Sequence, residues 1–204
     1  ICGVGAINKW SRRGDINYKQ ALCDIGQVEL MMAYKEYFGD YGVHVAQILL
    51  TRDDFNDHHR TLNIRNAMFT LIDEGVVPVI NENDSEIKIG DNDTLAALTA
   101  TLWNADLMII LSDIDGVFDS DPKSNSNAKL IETVGNAEKL FGSIDIGGTS
   151  SFGTGGISSK IEAAAKVNQY GIPMILLNGK KTDIIRNCIT GTSKGTLFTG
   201  RIEK

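Results

Sequence analysis

Val76-Val77-Pro78-Val79-Ile80 runs directly into Asn81-Glu82-Asn83-Asp84. A short apolar, β-branched run of this kind is a buried strand, and a run apolar on both faces belongs to a parallel sheet covered by helices. The polar residues at its carboxyl end stand where α/β sheets hold their ligands. The rest of the chain follows the same alternation. Upstream, residues 14–38 form a helical pattern with Leu22, Ile25, Val28 and Met32 on one face, followed by Gly39 and Gly42, and 43–50 is a strand. Asp53 or Asp54 then caps a helix running to 73, with Leu62, Met68, Phe69 and Ile72 inward and Gly75 closing it. Downstream, 91–104 is a helix with Asp91 or Asp93 near its positive end. Next come a strand over 107–111, a helix over 157–170, a strand over 173–177, a helix over 182–189 and a short edge strand at 196–198. The order predicts an α/β fold with a largely parallel sheet covered by helices on both faces. Asp121-Pro122 and the polar run 124–127 mark a surface turn, and 142–156, with six glycines, is a loop.

Composition narrows the function. The 204 residues are 42% apolar, enough for one substantial core, and no stretch approaches the ~20 apolar residues of a membrane span. No signal peptide is expected from Ile1 to Trp10, which lacks a basic-then-apolar order. Cys2, Cys23 and Cys188 are too far apart for a ligand cluster, so no metal site of the chain's own is expected, and their sparseness fits a reducing cytoplasm. A net charge of −6 argues against a general nucleic-acid binder while leaving anionic small ligands open.

Three segments after strands carry the chemistry. The thirteen residues from Asn81 to Asp93 hold five acids and three amides, with two Asn/Asp clusters flanking Glu86-Ile87-Lys88-Ile89. A solvated loop would account for any one of them. The repeated Asn/Asp cluster favours a site for an ammonium group and the polar end of a small zwitterion. The second segment is Ser112-Asp113-Ile114-Asp115-Gly116-Val117-Phe118. It reads equally as a turn signalled by Asp-Gly or as a nucleotide edge, with Ser112 and Asp113 on ribose or phosphate and Val117 and Phe118 beside a base. The third is Gly153-Thr154-Gly155-Gly156-Ile157-Ser158-Ser159-Lys160. Glycines allow close backbone approach, and the helix that follows offers free N–H groups and a positive dipole end to phosphate. It is not a Walker A loop, because the lysine does not directly follow the glycine. His58 and His59 are adjacent and cannot form an i,i+4 metal pair. Gly3-x-Gly5 lacks the third glycine of a dinucleotide fingerprint.

Taken together, Leu49-Leu50-Thr51-Arg52, Val77 through Asp84, Ile87-Lys88-Ile89-Gly90-Asp91-Asn92-Asp93, Leu111-Ser112-Asp113 with Gly116, and Gly153 through Lys160 resemble the glutamate 5-kinase branch of the amino-acid kinase family. The resemblance covers nearly the whole chain and implies the carbamate kinase-like fold, a three-layer αβα sandwich with a mainly parallel central sheet. It also implies transfer of the ATP γ-phosphoryl group, with Mg²⁺, to the γ-carboxylate of L-glutamate, the opening step of proline synthesis. By the same resemblance, Asp84 and Asn92 contact glutamate. Ser112, Asp113 and the loop Thr154, Gly155, Gly156, Ile157, Ser158, Ser159 and Lys160 contact ATP. Lys160 is a catalytic lysine and Asp93 the acid that organises the catalytic lysines. A cytoplasmic homo-oligomer, dimer or tetramer, inhibited by proline is implied too. The alternatives are another amino-acid kinase, acting on aspartate, acetylglutamate or carbamate, or a non-catalytic module that senses proline or glutamate.

The chain departs from the family pattern in places. Residues 1–204 are expected to form a single kinase domain whose N-terminal βα portion, with a Lys-x-Gly strand and a serine before Ile1, is absent. A few residues are expected to be missing between Asp84 and Glu86 and near Arg13, and no C-terminal PUA domain is expected after Lys204.

Overall fold

The structure is a computed structural model that describes residues 14–83, 91–122, 124–143 and 156–200. The chain divides into two compact units, Ile1–Ile89 and Gly90–Lys204.

In the first unit, helix α1 (Ile16–Gly39) is started by Asp15, whose carboxylate accepts from the Tyr18 N–H at 3.1 Å. It packs against strand β1 (Val45–Leu50), which pairs in parallel with β2 (Val77–Glu82), Val45 facing Val77 and Leu50 facing Glu82. Between the strands, the expected single helix is two: α2 (Arg52–Asn56) and α3 (His58–Asp73). The break falls at Asp57, which has extended backbone and whose carboxylate accepts from the Arg60 N–H at 2.9 Å, so Asp57 starts the long helix. Asp54 acts one turn earlier, its Oδ2 accepting from both the backbone N–H and the hydroxyl of Thr51. Gly75, at φ +70°, closes α3 as expected, in a left-handed conformation that a side chain would strain.

The inward faces of α1 and α3 differ from the sequence expectation. On α3 the covered stripe is Thr61, Ile64, Met68 and Leu71, at 3-4-3 spacing, and Leu62, Phe69 and Ile72 stand 46%, 41% and 52% exposed. On α1 the covered residues include Leu22, Gly26, Gln27, Leu30 and Ala33, whereas Ile25, Val28 and Met32 are exposed. Both helices carry two apolar stripes. The 3.6-residue period shows which residues share a face, but not which face the sheet covers.

The second unit opens with α4 (Asn92–Trp103), N-capped by Asp91, whose carboxylate accepts from the Thr94 N–H at 2.8 Å. Asn104 ends it in the left-handed conformation (φ 50°), one of the few non-glycine residues that tolerate it. Strands β3 (Met108–Ser112), β4 (Thr133–Val134), β5 (Met174–Asn178) and β6 (Thr196–Phe198) form one sheet in the order β3-β5-β6-β4. β3 and β5 are parallel, with Ser112 opposite Asn178. β6 runs antiparallel to β5 and parallel to β4. β6 is therefore interior rather than an edge: its outer neighbour β4 is only two residues long, too short to announce itself in the sequence. Helices α5 (Ala137–Ser143), α6 (Ile157–Asn168) and α7 (Ile184–Ile189) complete the unit. α5 was not expected, and only its last two residues fall in the predicted loop.

The core joins Ala97 and Ala100 of α4, Ile161, Ala164 and Val167 of α6, and Met108, Ile110, Met174, Leu176 and Phe198 of the sheet. Small residues on α4 and α6 let the two helices pack closely together, which sets their N-terminal ends side by side. Thr196, fully buried, holds the chain after β3 in place. Its hydroxyl accepts from the Val117 N–H at 2.8 Å and donates to the Ile131 carbonyl at 2.7 Å. Gly116 lies against it, at φ +151°, where a Cβ would come within 2.6 Å of the Thr196 hydroxyl.

Candidate functional site

Asp93 is the second residue of α4, and Lys160 the fourth of α6. They are 67 positions apart in sequence, yet the Lys160 ammonium meets Asp93 Oδ2 at 3.1 Å. Their side chains are 10% and 15% exposed, so the pair is largely withdrawn from water. The Ser159 hydroxyl reaches the same oxygen at 2.7 Å and the Gly156 carbonyl at 2.9 Å. A lysine this deeply buried needs a partner, and Asp93 supplies the countercharge. The two helix N-termini add positive potential where carboxylate and ammonium meet, an environment suited to anions. Gly156 is the N-cap of α6, has extended backbone and brings no side-chain cap to the N–H groups of the first turn.

The other expected contacts fall as follows. Asn92 is the first residue of α4 and exposed. Ile157, Ser158 and Ser159 form the first turn of α6 beside Gly156 and Lys160. Ser112 ends β3 and its hydroxyl donates to Asp113 Oδ1 at 3.3 Å, with Asp113 exposed. Asp84, Thr154 and Gly155 lie outside the described residues, as does the expected start of the chain around Ile1 to Gly5. The structure thus brings Asp93, Ser159 and Lys160 into one cluster.

Two supporting networks were not read from the sequence. Beside Ser112, the Gly179 N–H donates to the Ser112 carbonyl at 2.8 Å. Asp115 accepts from the Asn178 amide at 2.8 Å and from Lys181 at 2.7 Å, and these two donors, Lys181 foremost, hold its carboxyl below the ordinary 3.8. The Asn178-Gly179 turn after β5 was the available signal. In the first unit, the Asn81 amide donates to Gln27 at 2.8 Å, Gln27 in turn donates to Gln47 at 3.3 Å, and the Glu82 N–H donates to Asn81 Oδ1 at 2.9 Å. A helix residue thus fixes the first member of the Asn-Glu-Asn-Asp motif. Among the described residues, no three His, Cys, Asp or Glu side chains gather as metal ligands, and no helix is long and apolar enough to cross a membrane.

An α/β fold with parallel strands and a buried Lys–Asp pair at two helix N-termini is a setting suited to anionic ligands, and comparison gives the class and its family. The chain belongs to the amino acid kinase family, whose pattern matches residues 5–178. It is 60% identical to glutamate 5-kinase of Alkaliphilus metalliredigens over 97% of this chain and 76% of that protein. To glutamate 5-kinase of Alkaliphilus oremlandii it is 58% identical over 97% and 77%, and to that of Clostridium acetobutylicum 44% identical over 96% and 75%. Among solved structures, UMP kinase from Ureaplasma parvum superposes with a TM-score of 0.65 at 16% identity, over 96% of this chain and 78% of that one. An isopentenyl phosphate kinase superposes at 0.62, also at 16% identity, over 95% and 74%. These likenesses establish the amino acid kinase fold.

Proposed function

We propose that this chain transfers the γ-phosphoryl group of ATP to the γ-carboxylate of L-glutamate, giving ADP and L-glutamyl 5-phosphate, and so opens proline synthesis. The observation that carries the reading is the buried Lys160–Asp93 pair at the N-terminus of α6, in a chain 60% identical to a glutamate 5-kinase. The acceptor is already ionised at neutral pH, since a glutamate side chain ordinarily titrates at about 4.3, so no general base is needed. The difficulty is an anion attacking a polyanion, and catalysis is positioning and charge neutralisation.

In this reading Lys160 and the first-turn N–H groups of α6 stabilise the migrating phosphoryl group, and Asp93 fixes where the ammonium stands. Ser112, Asp113 and the backbone of the loop from Thr154 to Lys160 hold the nucleotide, while Asp84 and Asn92 hold glutamate. Bound with the nucleotide, Mg²⁺ would supply charge neutralisation on the phosphates, alongside the positive potential of Lys160 and the α6 N-terminus. We place the enzyme in the cytoplasm, in keeping with its few scattered cysteines, as a homo-oligomer inhibited by proline at the glutamate site. The exposed apolar stripes Ile25–Val28–Met32 and Leu62–Phe69–Ile72 supply area for such association.

Hydroxylamine trapping of the acyl phosphate tests the substrate. With Mg-ATP, glutamate is expected to yield hydroxamate and proline to suppress it. Hydroxamate from aspartate or acetylglutamate but not from glutamate would replace the substrate assignment, and none from any acceptor, with glutamate or proline still bound, would favour a sensing module.

A further inference from the structure

Ser159 falls within the loop expected to touch ATP, yet its hydroxyl is turned elsewhere. It lies 2.7 Å from Asp93 Oδ2 and 2.9 Å from the Gly156 carbonyl. A hydroxyl has one proton to give. The carboxylate is the nearer acceptor and the charged one, and an O–H···O⁻ bond of this length is of the strong, charge-assisted kind. The Lys160 ammonium donates to that same oxygen at 3.1 Å. Oδ2 is thus gripped from two sides by neighbouring residues of one helix, the third and fourth positions of α6.

That double grip has a mechanical consequence. A carboxylate held only by an ammonium can turn about its terminal bond, because an ammonium on a four-carbon stem follows it. A second donor from a short, partly buried side chain removes this freedom and fixes the oxygen on which Lys160 rests. We propose that Ser159 is a positioning residue: through Asp93 it sets the location of the Lys160 ammonium, and its hydroxyl does not bind the nucleotide. The proposal rests on the phosphotransferase reading and deepens it, assigning the side chain a partner within the protein rather than on ATP.

A bond that matters chiefly for placing charge on the transition state shows itself in kcat rather than KM. Loss of one charge-assisted hydrogen bond corresponds to roughly a tenfold to hundredfold loss of rate. In the full chain, Ser159→Ala is expected to lower kcat at least about tenfold, with KM for ATP within about twofold. Ser159→Thr, which keeps the hydroxyl, is expected to recover most of the rate. In an Asp93→Ala background Ser159→Ala is expected to change kcat by less than about twofold, because the group through which it acts is gone. Calorimetric binding of a Mg-bound non-hydrolysable ATP analogue is expected to be equal for wild type and Ser159→Ala. A weakened analogue affinity, or a full Ser159→Ala effect in the Asp93→Ala background, would overturn the proposal. Urea unfolding supplies the same cycle at equilibrium should Asp93→Ala be too slow to assay: Ser159→Ala is expected to destabilise the wild type and not the Asp93→Ala variant, and equal destabilisation in both would overturn it. Neither the binding nor the unfolding arm needs an acceptor. Both stand even if glutamate yields no hydroxamate, a result that would count against the substrate assignment alone.

Discussion

Replacing Lys160 by Met removes one positive charge and keeps nearly all of the buried stem. In the native pair, ammonium and carboxylate stand 3.1 Å apart and nearly cancel; the variant leaves the site one unit more negative while a polyanion reacts there. A unit charge about 4 Å from the migrating phosphoryl oxygens is worth about 4 kcal/mol at an effective dielectric of ~20, the value suited to partly buried sites. That corresponds to a fall of roughly 10³ in kcat. KM for glutamate is expected to change far less, because the missing charge acts mainly on the transition state. The substitution also takes the ammonium from Asp93, leaving Ser159 as its side-chain donor among the described residues, and removing one partner of a buried pair costs up to about 3–5 kcal/mol. A urea melt must therefore accompany the kinetics. The double variant Lys160→Met with Asp93→Asn separates the two effects, since it is expected to regain stability without regaining rate. Hydroxamate formation measured across glutamate and ATP concentrations supplies kcat and KM. A folded Lys160→Met enzyme within about tenfold of the wild-type kcat would refute the electrostatic role assigned to this lysine.

Three further outcomes follow from the packing. Thr196→Val removes the acceptor of the Val117 N–H and the donor to the Ile131 carbonyl in a fully buried place, so chemical denaturation should show a loss of about 2–3 kcal/mol. A loss below about 0.5 kcal/mol would mean that water replaces the hydroxyl. Asp91→Ala deletes the N-cap of α4 and is expected to cost about 1 kcal/mol, or roughly 2–4 °C of melting temperature for a chain of this size. An unchanged melting temperature would deny Asp91 that role. Asp115 has its carboxyl lowered first by Lys181 and then by Asn178, so its contribution to stability is present above 3.8, the ordinary value, and vanishes as pH falls through the lower folded value. Because both side chains of the pair are more than two-fifths exposed, the contribution is at most about 1 kcal/mol after solvent screening. The stability gap between wild type and Asp115→Asn should therefore shrink as pH drops well below 3.8, and a gap independent of pH would contradict the pairing.

Strands whose apolar runs end in polar or glycine-rich turns were legible directly, because parallel strands covered on both faces are locally apolar. Residues 76–80 became Val77–Glu82 and 107–111 became Met108–Ser112, shifts of one or two positions. The two-residue strand β4 and the helix α5 escaped because neither is long enough to show a period. Asp57 escaped as a helix start because Asp53 and Asp54, equally good caps by type, come first in the chain, and only the observed extended backbone at Asp57 separates α2 from α3.

By itself the sequence determined the alternation of strand and helix and the family, and it named candidate residues for a phosphoryl-transfer site, since all of these reside in local composition, spacing and motif. Tertiary structure decided which stripe of a two-striped helix is covered, which strand sits inside the sheet, and which oxygen receives Lys160. These depend on groups far apart in the chain being packed against one another, as Ser159 and Asp93 are. A local pattern names the candidates for such contacts, and only the packing of α4 against α6 selects among them.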